Sequence, residues 1–160
     1  MENLLERESI KRVIKKLEEF DSSLKVEILN SSARTAEDAA LSLNCQVGAI
    51  VKSLLLRAND NFILCLVSGD KRCSLNKLKN FFNSKDLRMA SPNDVKEQTG
   101  YTIGGVSPIG HKKSLQILVD RSLNRFKDLY AAAGHPNCIF KINFDDLIKI
   151  TNGSIEDVIE

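Results

Sequence analysis

The sequence has no tryptophan, and aromatic residues make up 6 % of it. A chain so poor in flat side chains is a weak candidate for a protein that grips single strands by stacking bases. It also lacks any apolar run of about 18 residues, so no segment reads as a bilayer-spanning helix and no membrane partner is expected. The opening stretch MENLLERESIKRVIKKLEEF alternates charge with apolar residues and has no uninterrupted apolar stretch, unlike a secretory leader, and the expected location is the cytoplasm. The four cysteines, Cys45, Cys65, Cys73 and Cys138, form no CxxC pair, and the two histidines, His111 and His135, stand at no metal-ligand spacing from them. No metal is therefore expected, and no other cofactor, because neither a GK[ST]-terminated phosphate loop nor a GxGxxG fingerprint occurs. With three prolines and eight glycines there is no linker-like tract, and no repeat divides the chain, so residues 1–160 read as one domain.

What is present is ordinary in amount and uneven in distribution. Hydrophobic residues make up 42 % of 160, enough for a core without disulfide or metal staples. The formal net charge is only +2, yet residues 71–127 hold twelve Lys or Arg against four Asp or Glu, while the last eighteen residues hold five acids and one lysine. A basic middle suits a polyanionic partner or a lysine-rich solvated surface, and charge alone leaves both open.

Hydrophobic period and turn chemistry predict the elements. Ile10, Val13, Ile14, Leu17 and Phe20 recur at helical spacing, so residues 3–20 are read as an amphipathic helix. KVEILN (25–30) reads as a short strand, and Thr35 caps a helix ending near Leu43. Residues 49–58 and 61–69, rich in β-formers and joined across Asn59-Asp60-Asn61, read as an antiparallel hairpin. Ser74 opens a third helix, residues 87–90 form a short strand, and Ser91-Pro92-Asn93-Asp94 starts a helix that stops near Gly100. Residues 103–111 are a loop and 115–120 a strand; 122–133 is either a helix or a helical turn followed by a strand. A strand at 138–142 and a final helix over 144–152, capped by Gly153, complete an α+β pattern.

Three places carry chemical interest. Lys52 interrupts the apolar strand AIVKSLLL, so its ammonium must snorkel to an edge, pair with an acid, or enter a pocket where it can bind an anion. The loop GGVSPIGH (104–111) packs three glycines and a proline into seven positions, a backbone suited to presenting amides to an oxyanion, though also to a tight turn. His135, in AGHPN, is a titratable group in a turn, available as acid or base or merely exposed. No Ser/His/Asp arrangement can be assembled.

Taken together and in order, AIVKSLLL, ILCLVSGDKRCSLNKL, MASPNDVKEQTGYTIGGVSPIGHKKSL and VDRSLNRFKDLYAAAG resemble the YbaK/prolyl-tRNA-synthetase-associated domain family of aminoacyl-tRNA deacylases, over about Ser32 to Ile159. The resemblance implies a central mixed, barrel-like sheet with helices outside, and a strand near 128–133. It implies metal-independent hydrolysis of the ester joining a small wrong amino acid, such as Cys or Ala, to a transfer RNA, commonly that for proline. The partners it implies are mischarged transfer RNA and a prolyl aminoacyl-tRNA synthetase, not DNA. Lys52 matches the family's functional lysine, and Gly104 and Gly105 begin its glycine-rich loop, so these three are the expected catalytic group. Ser107, Pro108, Gly110, His111 and His135 are the expected substrate-binding residues. Two readings compete with the deacylase: a non-catalytic RNA-binding or synthetase-associated adaptor using the basic stretch, and a thiol hydrolase using Cys45 or Cys138.

Overall fold

A computed structural model describes residues 3–160. Five α-helices and an eight-stranded mixed sheet make up the α+β architecture among those residues. Four of the helices begin on a side chain that accepts a backbone N–H of the first turn. Thr35 starts α2 (Ala36–Leu43), Ser74 starts α3 (Leu75–Phe82), Ser91 starts α4 (Pro92–Thr99) and Asn143 starts α5 (Phe144–Thr151). At Ser91 the cap is reciprocal, because the Asp94 side chain accepts the Ser91 N–H in return. The fifth, α1 (Glu8–Phe20), buries Ile10, Val13 and Leu17. The helix expected over residues 3–20 is split, because Arg7 takes an extended conformation after a short 3-10 turn at Leu4–Glu6. Helix α5 ends on Asn152 in the left-handed conformation (φ 52°) and not on Gly153; asparagine is the residue besides glycine that tolerates this geometry.

The sheet is organised around β2 (Ile50–Ala58) and β3 (Asn61–Ser68), the expected antiparallel hairpin, registered from Val51 against Ser68 to Ala58 against Asn61. Parallel to β3 runs β5 (Gln116–Asp120), and parallel to β5 runs β8 (Ser154–Glu156), a strand the sequence pattern does not announce. On the other side, β6 (Leu129–Ala132) pairs parallel with β2; β7 (Cys138–Ile142) and then β1 (Val26–Ile28) follow antiparallel. The ambiguous stretch at 122–133 is thus a 3-10 turn over Arg121–Arg125 and then a strand. The remaining strand, β4 (Leu87–Met89), pairs with the far end of β2. The path does not close, so the barrel-like sheet remains open between β1 and β8.

Alternation along β3 divides the core. Leu64 and Leu66 join Val51, Leu55, Val119 and Phe140 beneath α1, while Ile63, Cys65 and Val67 join Leu56 and Leu118 beneath Leu78 of α3. Phe140 is fully buried in the first layer. Phe140→Ala is expected to cost about 3–5 kcal/mol of stability, read from the midpoint of a urea unfolding curve at unchanged slope.

Candidate functional site

One edge of β2 is fully paired with β3, whereas the opposite edge changes partner. It meets β6 at Ile50 and Val51 and β4 at Leu56, Arg57 and Ala58, which leaves residues 52–55 of that edge without a strand beside them. A cavity of about 450 Å³ occupies the gap. Its walls are the start of α2 with Arg34 and Glu37 at its rim, Met89 at the end of β4 and Ala90 after it, Ile103, Gly104 and Val106 of the glycine-rich loop, Tyr130–Ala132 of β6, and His135 and Pro136.

Lys52 lies in the gap, half-buried, and its Nζ donates to the Lys71 carbonyl at 2.5 Å. The ammonium is therefore anchored to the turn after β3, between the cavity and the surface. That turn is itself fixed. Ser68, fully buried, donates its hydroxyl to the Gly48 carbonyl, and Arg125 grips Asp70 at 2.7 Å. The hydrogen bond from Arg125 lowers the Asp70 pKa to about 2, so this pair stays ionised through the neutral range.

The glycine-rich loop is held from behind. Gly104 and Gly110 adopt positive φ (95° and 73°), and a Cβ on Gly105 would lie 2.9 Å from the His135 backbone. The Gly105 N–H is already given to the Thr102 carbonyl at 3.0 Å. What Gly105 supplies is closeness between the two loops, not a donor to the cavity. Beyond Val106 the chain turns inward. Ser107, Pro108 and Gly110 are buried, and His111 Nε2 donates to the Ser107 carbonyl at 2.7 Å. The Tyr101 hydroxyl is shared between the Ile109 and Gly110 carbonyls (2.7 and 2.9 Å).

Helix α1 braces both loops. Arg12 donates through Nε to the Gly110 carbonyl at 2.9 Å, stacks over Tyr101 with its guanidinium 4.9 Å from the ring centre, and pairs with Glu8 at 2.6 Å. One turn earlier, the Ser9 hydroxyl donates to the Gly134 carbonyl at 3.2 Å, at the base of the His135 turn. In that turn His135 Nδ1 accepts the Asn137 N–H at 3.0 Å, so in the neutral ring the proton resides on Nε2.

Of the residues picked out by sequence, Lys52, Gly104 and His135 come together around the cavity. Ser107, Pro108, Gly110 and His111 do not line it. The inward turn after Val106 spends their polar groups on the loop itself. Arg34, Met89, Ile103 and Tyr130 line the cavity without a sequence signal that marks them, and Arg12 reads from sequence only as a charge on a solvated helix face. The two candidate thiols, Cys45 and Cys138, do not resemble nucleophiles. Cys138 lies in the cavity wall, but burial raises its pKa, as it does that of Cys45. Several charges of the basic stretch are answered by the acidic end of the chain, with Lys77 paired to Asp157 at 3.0 Å and Arg72 to Glu160 at 3.9 Å. Among the described residues no cluster of His, Cys, Asp and Glu could hold a metal ion.

Desolvation lowers the pKa of His111, outweighing the hydrogen bond to Ser107 that favours the charged form. The folded protein thus prefers the neutral imidazole. Its contribution is present above the unfolded pKa of about 6.5 and is lost as pH falls through the lower folded value. Between about pH 7.5 and pH 5 the melting temperature of the protein is expected to fall more steeply than that of His111→Gln, which keeps a donor for Ser107 but cannot be protonated. Parallel curves would remove His111 as the loop's acid-sensitive tie.

Comparison with known proteins points one way. The sequence profile of the family described as "Aminoacyl-tRNA editing domain" matches residues 30–150. Protein YwhH of Bacillus subtilis, itself uncharacterised, is 34 % identical over 144 residues, covering 89 % of this chain and 91 % of its own. Proline–tRNA ligase of Thermosipho africanus is 32 % identical over 123 residues, which is 77 % of this chain but only 22 % of the ligase. A crystal structure described as that of a candidate trans-editing enzyme for prolyl tRNA synthetase superposes with a TM-score of 0.90 at 37 % identity, covering 96 % of this chain and 98 % of the other.

Proposed function

The chain belongs to the aminoacyl-tRNA editing domain family, and we propose that it is a deacylase acting in trans, clearing a small wrong amino acid from transfer RNA, with proline tRNA the first candidate. The observation that carries this reading is Lys52, half-buried in a cavity that Gly104 and His135 also line. An aminoacyl ester is already activated toward attack, so a site with no nucleophile of its own can suffice. In the proposed reaction Lys52 holds the terminal phosphate or ribose of the tRNA, while the Gly104 segment and the His135 Nε2–H border the aminoacyl group. Water adds to the ester carbonyl with help from the neighbouring ribose hydroxyl. The tetrahedral adduct then expels the ribose oxygen, which takes up a proton. The products are the free amino acid and the intact tRNA.

Gly105, Ser107, Pro108, Gly110 and His111 act in this scheme by fixing the loop against α1 and the His135 turn. Selectivity is steric. The walls contributed by Ala33, Ala36, Ala131 and Ala132, with the larger Ile103 and Met89, admit a short side chain and crowd a long one. Such size discrimination is how an editing site serves as a second sieve. A cytoplasmic location and transient association with prolyl-tRNA synthetase would supply the substrate.

Lys52→Ala is expected to lower the rate of deacylation by about 100-fold or more, with an unchanged melting temperature, in an assay of transfer RNAs charged with Ala, Cys, Ser or Pro. Addition of EDTA should leave the wild-type rate unaltered. Salt-dependent binding of charged tRNA without any turnover would replace the deacylase with the adaptor reading. Full activity in Lys52→Ala would dismiss Lys52 from the site.

A further inference from the structure

The gap beside β2 exposes main chain as well as side chains. At one end of the strand the Ile50 carbonyl accepts the Gly69 N–H (2.8 Å), on the β3 side; at the other the Leu55 carbonyl accepts the Ala90 N–H (3.0 Å), on the β4 side. In an extended strand a residue's N–H and C=O share one edge, and those of the next residue take the other. The odd-numbered residues here therefore face the edge where β6 and β4 pair. Val51 is met by β6, and Leu55 is met by Ala90. Ser53 lies between, and no backbone group pairs with it on that side among the described residues. Its hydroxyl is likewise without a partner. Ser53 thus brings an N–H and a C=O to the cavity wall, half-buried, where main-chain polar groups require a partner.

The spacing of such a pair has a natural complement. In an antiparallel ladder a residue exchanges its N–H and C=O with the C=O and N–H of one residue opposite. An α-aminoacyl ester carries that same pattern, an ammonium that donates and a carbonyl that accepts, on adjacent carbons. We propose that the main chain of Ser53 is the subsite for the α-amino group and the ester carbonyl, so that the aminoacyl group docks on β2 as a strand one residue long. The inference rests on the deacylase reading and names the substrate class of that site: esters of α-amino acids, distinguished from other acyl esters by the amino group and not by the side chain.

Three tRNA esters of equal size separate the possibilities: alanyl, lactyl and propionyl, each enzymatic rate divided by its own uncatalysed rate. Alanyl-tRNA offers an ammonium donor, lactyl-tRNA a hydroxyl donor and propionyl-tRNA none. The expected order of kcat/KM is alanyl, lactyl, propionyl, with propionyl about 10- to 100-fold below alanyl, the range for a hydrogen bond from a charged donor. Ser53→Pro removes the N–H that faces the gap and leaves the β3 ladder intact, since proline is accepted at an unpaired strand edge. In that variant the three rates should fall together by about 3- to 10-fold, with the alanyl-to-propionyl ratio kept, because the N–H serves the ester carbonyl common to all three while the Ser53 carbonyl that accepts the ammonium remains. Should the variant fail to fold, the wild-type series still decides. Propionyl-tRNA cleaved within about threefold of alanyl-tRNA, less than one hydrogen bond's worth, would overturn the subsite and leave the deacylase standing. Absence of turnover on every aminoacyl-tRNA would overturn both.

Discussion

Everything at the site depends on β2 changing partners along one edge. A strand paired on both sides offers a ligand only its side chains; a strand left bare at its middle offers the backbone too and makes room beside it. Here β6 runs out at Val51 and β4 begins opposite Leu56. The cavity is the space between their ends. The cost of an unpaired strand edge is contained by confining the gap to residues 52–55 and covering it with α2 and two loops. Lys52 can stand within an apolar strand because the Lys71 carbonyl meets its ammonium.

The second dependence is on α1. Both loops that close the cavity are tied to this helix, one through Arg12 to Gly110 and the other through Ser9 to Gly134. The loops touch each other where Gly105 meets the His135 backbone. Three contacts of this kind make a triangle of helix, glycine-rich loop and histidine turn. A change at any corner reaches the other two, although only two of the three corners line the cavity. Arg12 is thus a positioning residue in the proposed chemistry, acting through the loop it holds.

What could be read from sequence was local. Caps at Thr35, Ser74 and Ser91 are decided by side chains binding amides within three residues, so composition announces them. The hairpin of β2 and β3 was equally legible, since the turn and both strands are contiguous. The extent of β8 was not, because three residues gain strand character only by lying parallel to β5, where Ser154 pairs with Leu118, 36 residues earlier. The stretch 122–133 stayed ambiguous for a related reason: its turn is set by Asp120 accepting the Ser122 N–H, and its strand by β2 and β7. At the site, the oddity of Lys52 and the density of glycine point to two of the segments that border the cavity. The direction of the loop beyond Val106 was hidden, because Tyr101 and Arg12 set it, and neither stands out in the sequence. Placement of Ser107, Pro108, Gly110 and His111 away from the cavity follows from that.

The brace has a bearing on where the unit begins. The family match starts at residue 30, whereas Ser9 and Arg12 lie on a helix that ends at Phe20. A chain trimmed to residues 30–150 would retain Lys52, both loops and most of the sheet, and would lose the element that holds the loops in register, along with β1 and β8. The part of the sequence that the family profile matches and the part that keeps the site in shape are therefore not coextensive.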